Sequence, residues 1–225
     1  MNKLGVLGIG LLALSTACSG GGSGGDSPTY SGKIIDWPAT KTGSISVVTS
    51  GNSTTSASLK TAVDANGNFS NLAFPGLQAV TPTLPSTPAN FCSTAGVTAT
   101  PATTKVITGN LTIFNTAGAT TGNVTESNRP IATISANPAV GDKFIFRVFA
   151  DGNLKVSGAC TSATSTVTYD MNFSSGWNVA VAEVTAVTGT TATTAKFYTG
   201  GLPGGINLYY TASGSNTLSI DNLFK

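Results

Sequence analysis

The stretch Thr166-Val167-Thr168-Tyr169-Asp170-Met171-Asn172-Phe173 decides the fold class. Val167, Tyr169, Met171 and Phe173 fall on one side of an extended chain, and Thr168, Asp170 and Asn172 on the other. Successive side chains of a strand point to opposite faces, so this period marks a strand with one face in a core and one in water. Upstream, Phe144–Phe149 is a compact apolar run, and its Asp151-Gly152 turn predicts a hairpin into Leu154–Ser157. Downstream, Gly176-Trp177-Asn178 turns the chain into Val179–Val187, and Ala192–Tyr198 is expected to pair back across a Thr/Gly turn. Ile206–Thr211 and Thr217–Ile220 are the last strands expected.

Towards the N-terminus, Val106–Phe114 and the weaker Ile131–Ile134 read as strands. Pro75–Pro101 holds five prolines among Thr and Ser, which predicts a long irregular crossover. Tyr30–Ile35 and Ser44–Val48 flank a turn at Pro38–Thr42. Ser58–Val63 and Asn68–Phe74 flank Asp64-Ala65-Asn66-Gly67, whose Asn-Gly pair is the strongest short hairpin signal. No window carries a sustained helical period with caps. The fold expected is all-β, an antiparallel β-sandwich or barrel-like domain over 30–225. It reads as one domain of two packed sheets, with a split near the Pro-rich crossover at 75–101 as the alternative.

Charge is sparse: eleven Lys and Arg against nine Asp and Glu, and no histidine. Nucleic acid is not an expected partner, because neutralising phosphates needs clustered basic residues and the chain has no such cluster.

The N-terminus supplies an address. Asn2 and Lys3 precede an apolar run from Leu4 to Leu14, and Ser15, Thr16 and Ala17 lead into Cys18. Charged tip, short apolar core and small residues make the layout of a secretory signal. The apolar run is shorter than the roughly 20 residues that span a bilayer core. A Cys directly after small residues and ahead of Ser19–Ser27, a Gly/Ser tract, resembles the lipobox of bacterial lipoproteins. The family prefers Leu three residues before that Cys; here Ser15 stands there and Leu14 one step further back. The resemblance implies cleavage after residue 17, diacylglycerol on Cys18 and a flexible tether over 18–29. It implies a membrane partner through the lipid anchor. Since Ser19 replaces the Asp that retains family members at an inner membrane, it favours the outer membrane or the cell surface. The alternative is an ordinary secretory signal cut within Ala13–Ala17. With Cys18 carrying lipid, Cys92 and Cys160 remain as an even pair in an oxidising compartment, which predicts a disulfide; two buried free thiols are the alternative.

Without histidine the commonest general base, the usual partner of a Ser or Cys nucleophile and the commonest transition-metal ligand are all missing. No lysine has a Ser three residues before it, and the Gly-x-Ser-x-Gly match at Gly21–Gly25 lies in the tether. Carboxylate pairs run glycoside hydrolysis without histidine, but Asp36, Asp64, Glu126, Asp142 and Asp151 are scattered. Only Asp170 and Glu183 are expected on strands. Asp64–Asn68 faintly resembles the start of a calcium loop, yet Pro75 stands where the bidentate Glu belongs, and a turn explains the residues. Trp37, Trp177, Tyr198, Tyr209 and Tyr210 are the rings from which a sugar-stacking platform would be built, against core and rim packing as the plainer use. Asn-x-Ser/Thr matches such as Asn52, Asn110 and Asn123 follow from composition. No catalytic residue, metal or cofactor is therefore expected. The reading is a non-enzymatic cell-envelope lipoprotein that is structural or pairs with another envelope protein. A glycan-binding module is the alternative, and a carboxylate-based glycosidase a third.

Overall fold

The computed structural model describes residues 29–38, 41–49, 59–76 and 96–213. The expected signal, Cys18, nearly all of the tether, Cys92, most of the crossover and Thr217–Ile220 lie outside the described residues. In chain order the strands are β1 (Thr29–Lys33), β2 (Gly43–Thr49), β3 (Thr61–Val63), β4 (Asn68–Ala73), β5 (Val97–Thr100), β6 (Val106–Phe114) and β7 (Thr120–Ser127). A short helix α1 (Ile131–Ala136) precedes β8 (Lys143–Ala150), β9 (Leu154–Thr161), β10 (Thr166–Phe173), β11 (Gly176–Thr188), β12 (Thr191–Thr199) and β13 (Asn207–Ala212).

β1 and β4 form a two-stranded sheet. The remaining strands form one long sheet in the order β3-β2-β6-β7-β8-β11-β12-β10-β9-β5, with β13 attached to β7. The sheet ends at β3 and β5 without joining, which makes the fold a sandwich and not a closed barrel. Its pairings are antiparallel except that of β10 with β12. β11 and β12 form the expected hairpin, and β12 then inserts between β11 and β10, so β10 and β12 run the same way.

Most buried apolar residues collect in two cores. The first lies between the small sheet and the β2–β6–β7–β13 part of the long one, and includes Ile34, Ile45, Leu72, Phe74, Ile113 and Leu208. The second fills the β8-to-β5 part, with Phe144, Leu154, Val156, Met171, Phe173 and Phe197 buried together. On β11 the inward residues are Ala180 and Ala182, small enough for aromatic rings on the flanking strands to meet over them. Phe146 stacks on Phe197 at 6.0 Å between centroids and Tyr169 stacks on Phe197 at 5.4 Å. Trp177 links the first core to a small cluster of Ile107 and Phe149, against Phe74 at 5.3 Å and Phe149 at 5.6 Å, with its indole N–H donated to the Pro75 carbonyl at 2.8 Å. Gly109 is what lets the indole approach, since a Cβ there would lie 2.7 Å from the Trp177 ring.

Four expectations are corrected. Ile131–Ile134 is the first turn of α1, not a strand: Pro130 has no N–H to offer a ladder, and Ile131 and Ile134, three apart, both enter the second core. The Asp151-Gly152 turn makes no β8–β9 hairpin; β8 pairs with β11 and β6, and β9 with β10 and β5. Asp151 instead binds Lys105 at the start of β6, accepting its N–H on the side chain at 2.8 Å, and the chain crosses the second core from Ala150 to Leu154. Asn66-Gly67 likewise turns a corner between sheets, since β3 pairs with β2 and β4 with β1. Finally, Val97–Thr100, inside the stretch expected to be irregular, is an edge strand on β9.

Candidate functional site

The sheet forks at β6. Val106–Gly109 pairs with Ala150–Arg147 of β8, whereas Leu111–Phe114 pairs with Val124–Thr120 of β7. β7 and β8 then touch again at Ser127 and Phe144, leaving a gap in the hydrogen-bonded surface between them. Burying an edge inside a sheet leaves polar groups that need partners. Side chains bridge this gap.

On the face turned to the first core, Glu126 of β7 and Arg147 of β8 span the fork. Arg147 donates Nε to Oε2 at 2.8 Å and Nη2 to Oε1 at 2.6 Å, and the Tyr30 hydroxyl donates to Oε1 at 3.0 Å. Their side chains are 3% and 12% exposed for Glu126 and Arg147, so this ion pair is inside the protein. The guanidinium also lies over the rings of Tyr30 at 4.8 Å and Phe74 at 5.7 Å. Burial, and then the adjacent carboxylate, push the Tyr30 phenol well above its ordinary ionisation range. The cluster is self-satisfied: each charge meets its opposite in a bidentate geometry, which makes it a clasp between strands. Sequence reasoning placed Glu126 among scattered acids and did not single out Arg147, because partners 21 positions apart are joined only by the fork.

The opposite face of the fork opens into a cleft of about 390 Å³. Thr112 donates to the Asn123 side-chain oxygen at 3.3 Å on one wall, and half-buried Phe146 lies on another. A second cleft of about 590 Å³ runs between α1 and β13 and shares Thr211 with the first. Asp36 lies on its rim and accepts the Tyr210 backbone N–H at 2.6 Å.

The structure disperses the residues singled out from the sequence. Asp170 is exposed on β10. Glu183 accepts a hydrogen bond from the Tyr198 hydroxyl at 3.1 Å and lies 3.9 Å from Lys143. Neither lines either cleft. Asp64 accepts the backbone N–H groups of Asn66 and Asn68 and the Asn68 side-chain amide. Those bonds, the Asn68 ones foremost, hold its carboxyl below the usual range and account for the turn. Among the described residues no group of three His, Cys, Asp or Glu side chains could hold a metal. Trp37 meets Tyr210 edge-on at 72°, its N–H bonded to the Lys41 carbonyl, and Lys41 also bonds the Tyr210 hydroxyl. Tyr209 is buried on the other side of β13, as adjacent strand residues must be. With Trp177 packed between the first core and Phe149, and Tyr198 on β12, the five rings make no coplanar row. Phe146, Phe197 and Tyr169 do stack, and the sequence signals nearest to them were the alternation on β10 and the apolar run on β8. Cys160 is half-buried on β9 against the second core.

Among the described residues no helix is long and apolar enough to cross a membrane. No known protein family, curated protein or solved structure matches the chain.

Proposed function

We propose that the chain is a lipid-anchored protein of a bacterial cell envelope whose β region binds another envelope component and has no catalytic role. The anchor rests on the Cys18 context, the apolar run before it and the Gly/Ser tract after it. One observation carries the non-catalytic part: every described carboxylate but Asp170 is committed to holding the fold. Glu126 is closed by Arg147 and Tyr30, and Asp142 by Arg129 at 2.6 Å and the Ala139 N–H at 2.7 Å. Asp36, Asp64 and Asp151 accept backbone N–H groups, and Glu183 bonds Tyr198. Each of these carboxylates thus has a structural use, and Asp170, the one without, stands on β10 away from both clefts, which supports a binding role over acid–base chemistry.

A Cys92–Cys160 bridge belongs to the same proposal. Cys160 lies one residue beyond Ala159, whose N–H bonds the Gly96 carbonyl at the start of β5. Cys92 precedes Gly96 by four residues, and that much chain spans at most about 14 Å, enough to reach back to β9. Such a bridge would tie the Pro-rich crossover to the second core.

The test is fractionation of cells producing the full chain or a Cys18→Ala variant, with mass analysis of the mature N-terminus. The full chain is expected in the membrane fraction with acyl chains on Cys18, and the variant in the soluble fraction. A native N-terminus at Met1, with cytosolic fractionation, would overturn the reading. Cross-linking in intact cells followed by co-purification then identifies the envelope component.

A further inference from the structure

We infer that the cleft at the fork of the sheet binds a neutral, hydroxyl-rich ligand, a sugar unit of a glycan. This goes beyond the anchored-partner reading and stands or falls independently of it. Three features of the cleft point to this chemistry.

The first is hydrogen-bonding capacity without charge. The side chains of Asn110, Thr125 and Thr211 line the cleft and hold no hydrogen bond among the described residues. An amide and two hydroxyls each donate and accept, which matches the donor-and-acceptor character of sugar hydroxyls. Asn110 on β6, Thr125 on β7 and Thr211 on β13 come from three neighbouring strands, so they are held apart at fixed spacings by the ladders. The second is an apolar wall. Phe146 is half-buried at the cleft, fixed by its stacking on Phe197, and offers a ring against which the C–H face of a pyranose can pack.

The third is electrostatic. Glu126 and Arg147 also border the cleft, but each is matched by the other across the fork. The site therefore presents no unpaired charge to select an anionic or cationic ligand. Its volume, about 390 Å³, lies in the range of small-ligand sites and accommodates one or two sugar rings. No coplanar aromatic row is needed, because affinity here comes from directional polar groups on a rigid sheet with one ring as backing.

The experiment uses the full chain in a zwitterionic detergent, free of sugar headgroups. Cellobiose, N,N′-diacetylchitobiose and maltose are the neutral probes, with digalacturonic acid and chitosan dimer as charged ones. Saturation-transfer NMR and titration calorimetry are the readouts. At least one neutral disaccharide is expected to bind, and to bind more tightly than either charged one. Asn110→Ala and Phe146→Leu are each expected to weaken it about tenfold, the loss of one hydrogen bond or one ring face. Tyr198→Ala, on β12 outside the cleft, is expected to bind as the parent does. Asn110 is an exposed strand position whose truncation leaves the core untouched, so it carries the test even if the Phe146 variant loses its fold. Absence of binding by all three neutral probes, preference for a charged one, or unchanged binding in Asn110→Ala would each overturn the assignment.

Discussion

The two cores of this protein solve the same problem by different means. The second is apolar throughout: Phe144, Leu154, Val156, Met171, Phe173 and Phe197 interdigitate, with Ile131 and Ile134 of α1 filling in from the side. The first has an apolar interior too, but where β7 parts from β8 it contains a buried carboxylate and guanidinium. Aromatic rings surround that pair, and a phenol caps it. The difference follows from the strands. β8 and β10 alternate or run apolar, so their inward faces bury themselves. β1 is short and both β1 and β7 are polar, with Tyr30 and Val124 among few apolar groups to bury. A region with less apolar area to remove from water relies more on directional contacts, which fix geometry and are costly to half-break. In a chain this poor in charge, placing an ion pair inside ties the stability of one core to a single electrostatic contact.

Removing half of that contact is the strongest way to break the comparison. Arg147→Ala leaves the Glu126 carboxylate buried and unpaired, and unfolding free energy is expected to fall by about 3–5 kcal/mol. The double replacement Arg147→Met with Glu126→Leu is expected to cost much less. Urea denaturation of both variants checks this, and equal losses would mean that packing, not pairing, sustains the first core. In the second core Phe197→Ala removes the middle ring of the stack and is expected to cost about 3–4 kcal/mol by cavity formation. No charge substitution should rescue it.

Reduction of the proposed Cys92–Cys160 bridge comes next, with an expected loss of about 2–4 kcal/mol. Thermal melts with and without reductant measure it, and an unchanged midpoint would remove the bridge from the account. The smallest effect is alkaline. Tyr30 in the first core and Tyr169 in the second both have phenols raised above the ordinary value of 10.0, Tyr169 through burial. A raised folded value means the stabilisation is fully present below pH 10 and is lost as pH climbs through that raised value. Denaturation midpoints between pH 9 and pH 11 should therefore decline, and Tyr30→Phe should flatten the decline more than Tyr169→Phe (a window of about two pH units around the ordinary phenol value). The reverse order would show that the carboxylate beside Tyr30 adds nothing to burial.

Legibility followed the same division. β6 was bounded correctly from sequence, as were β10 and, within a residue or two, β8, β12 and β13. β7, whose Thr120–Ser127 reads as polar filler, went unseen because its burial comes from β6 and β13 on either side. Asp151-Gly152 and Asn66-Gly67 gave the turns but not what the turns connect, since a two-residue bend is compatible with a hairpin and with a corner between sheets. The acids read as scattered turn and strand residues, and the ion pair that spans the fork had no local signature. The cleft was equally invisible: Asn110, Thr125 and Thr211 look like three polar residues among many.

What the amino-acid order settled by itself is local: alternation, turn residues, the missing imidazole and an N-terminal stretch that resembles a lipobox. These depend on contacts within a few residues, which spacing reports directly. The fork, the two cores, the Glu126–Arg147 clasp and the cleft behind it were decided only in three dimensions. They depend on which strand edge meets which, and a strand carries two hydrogen-bonding edges that its own sequence does not label.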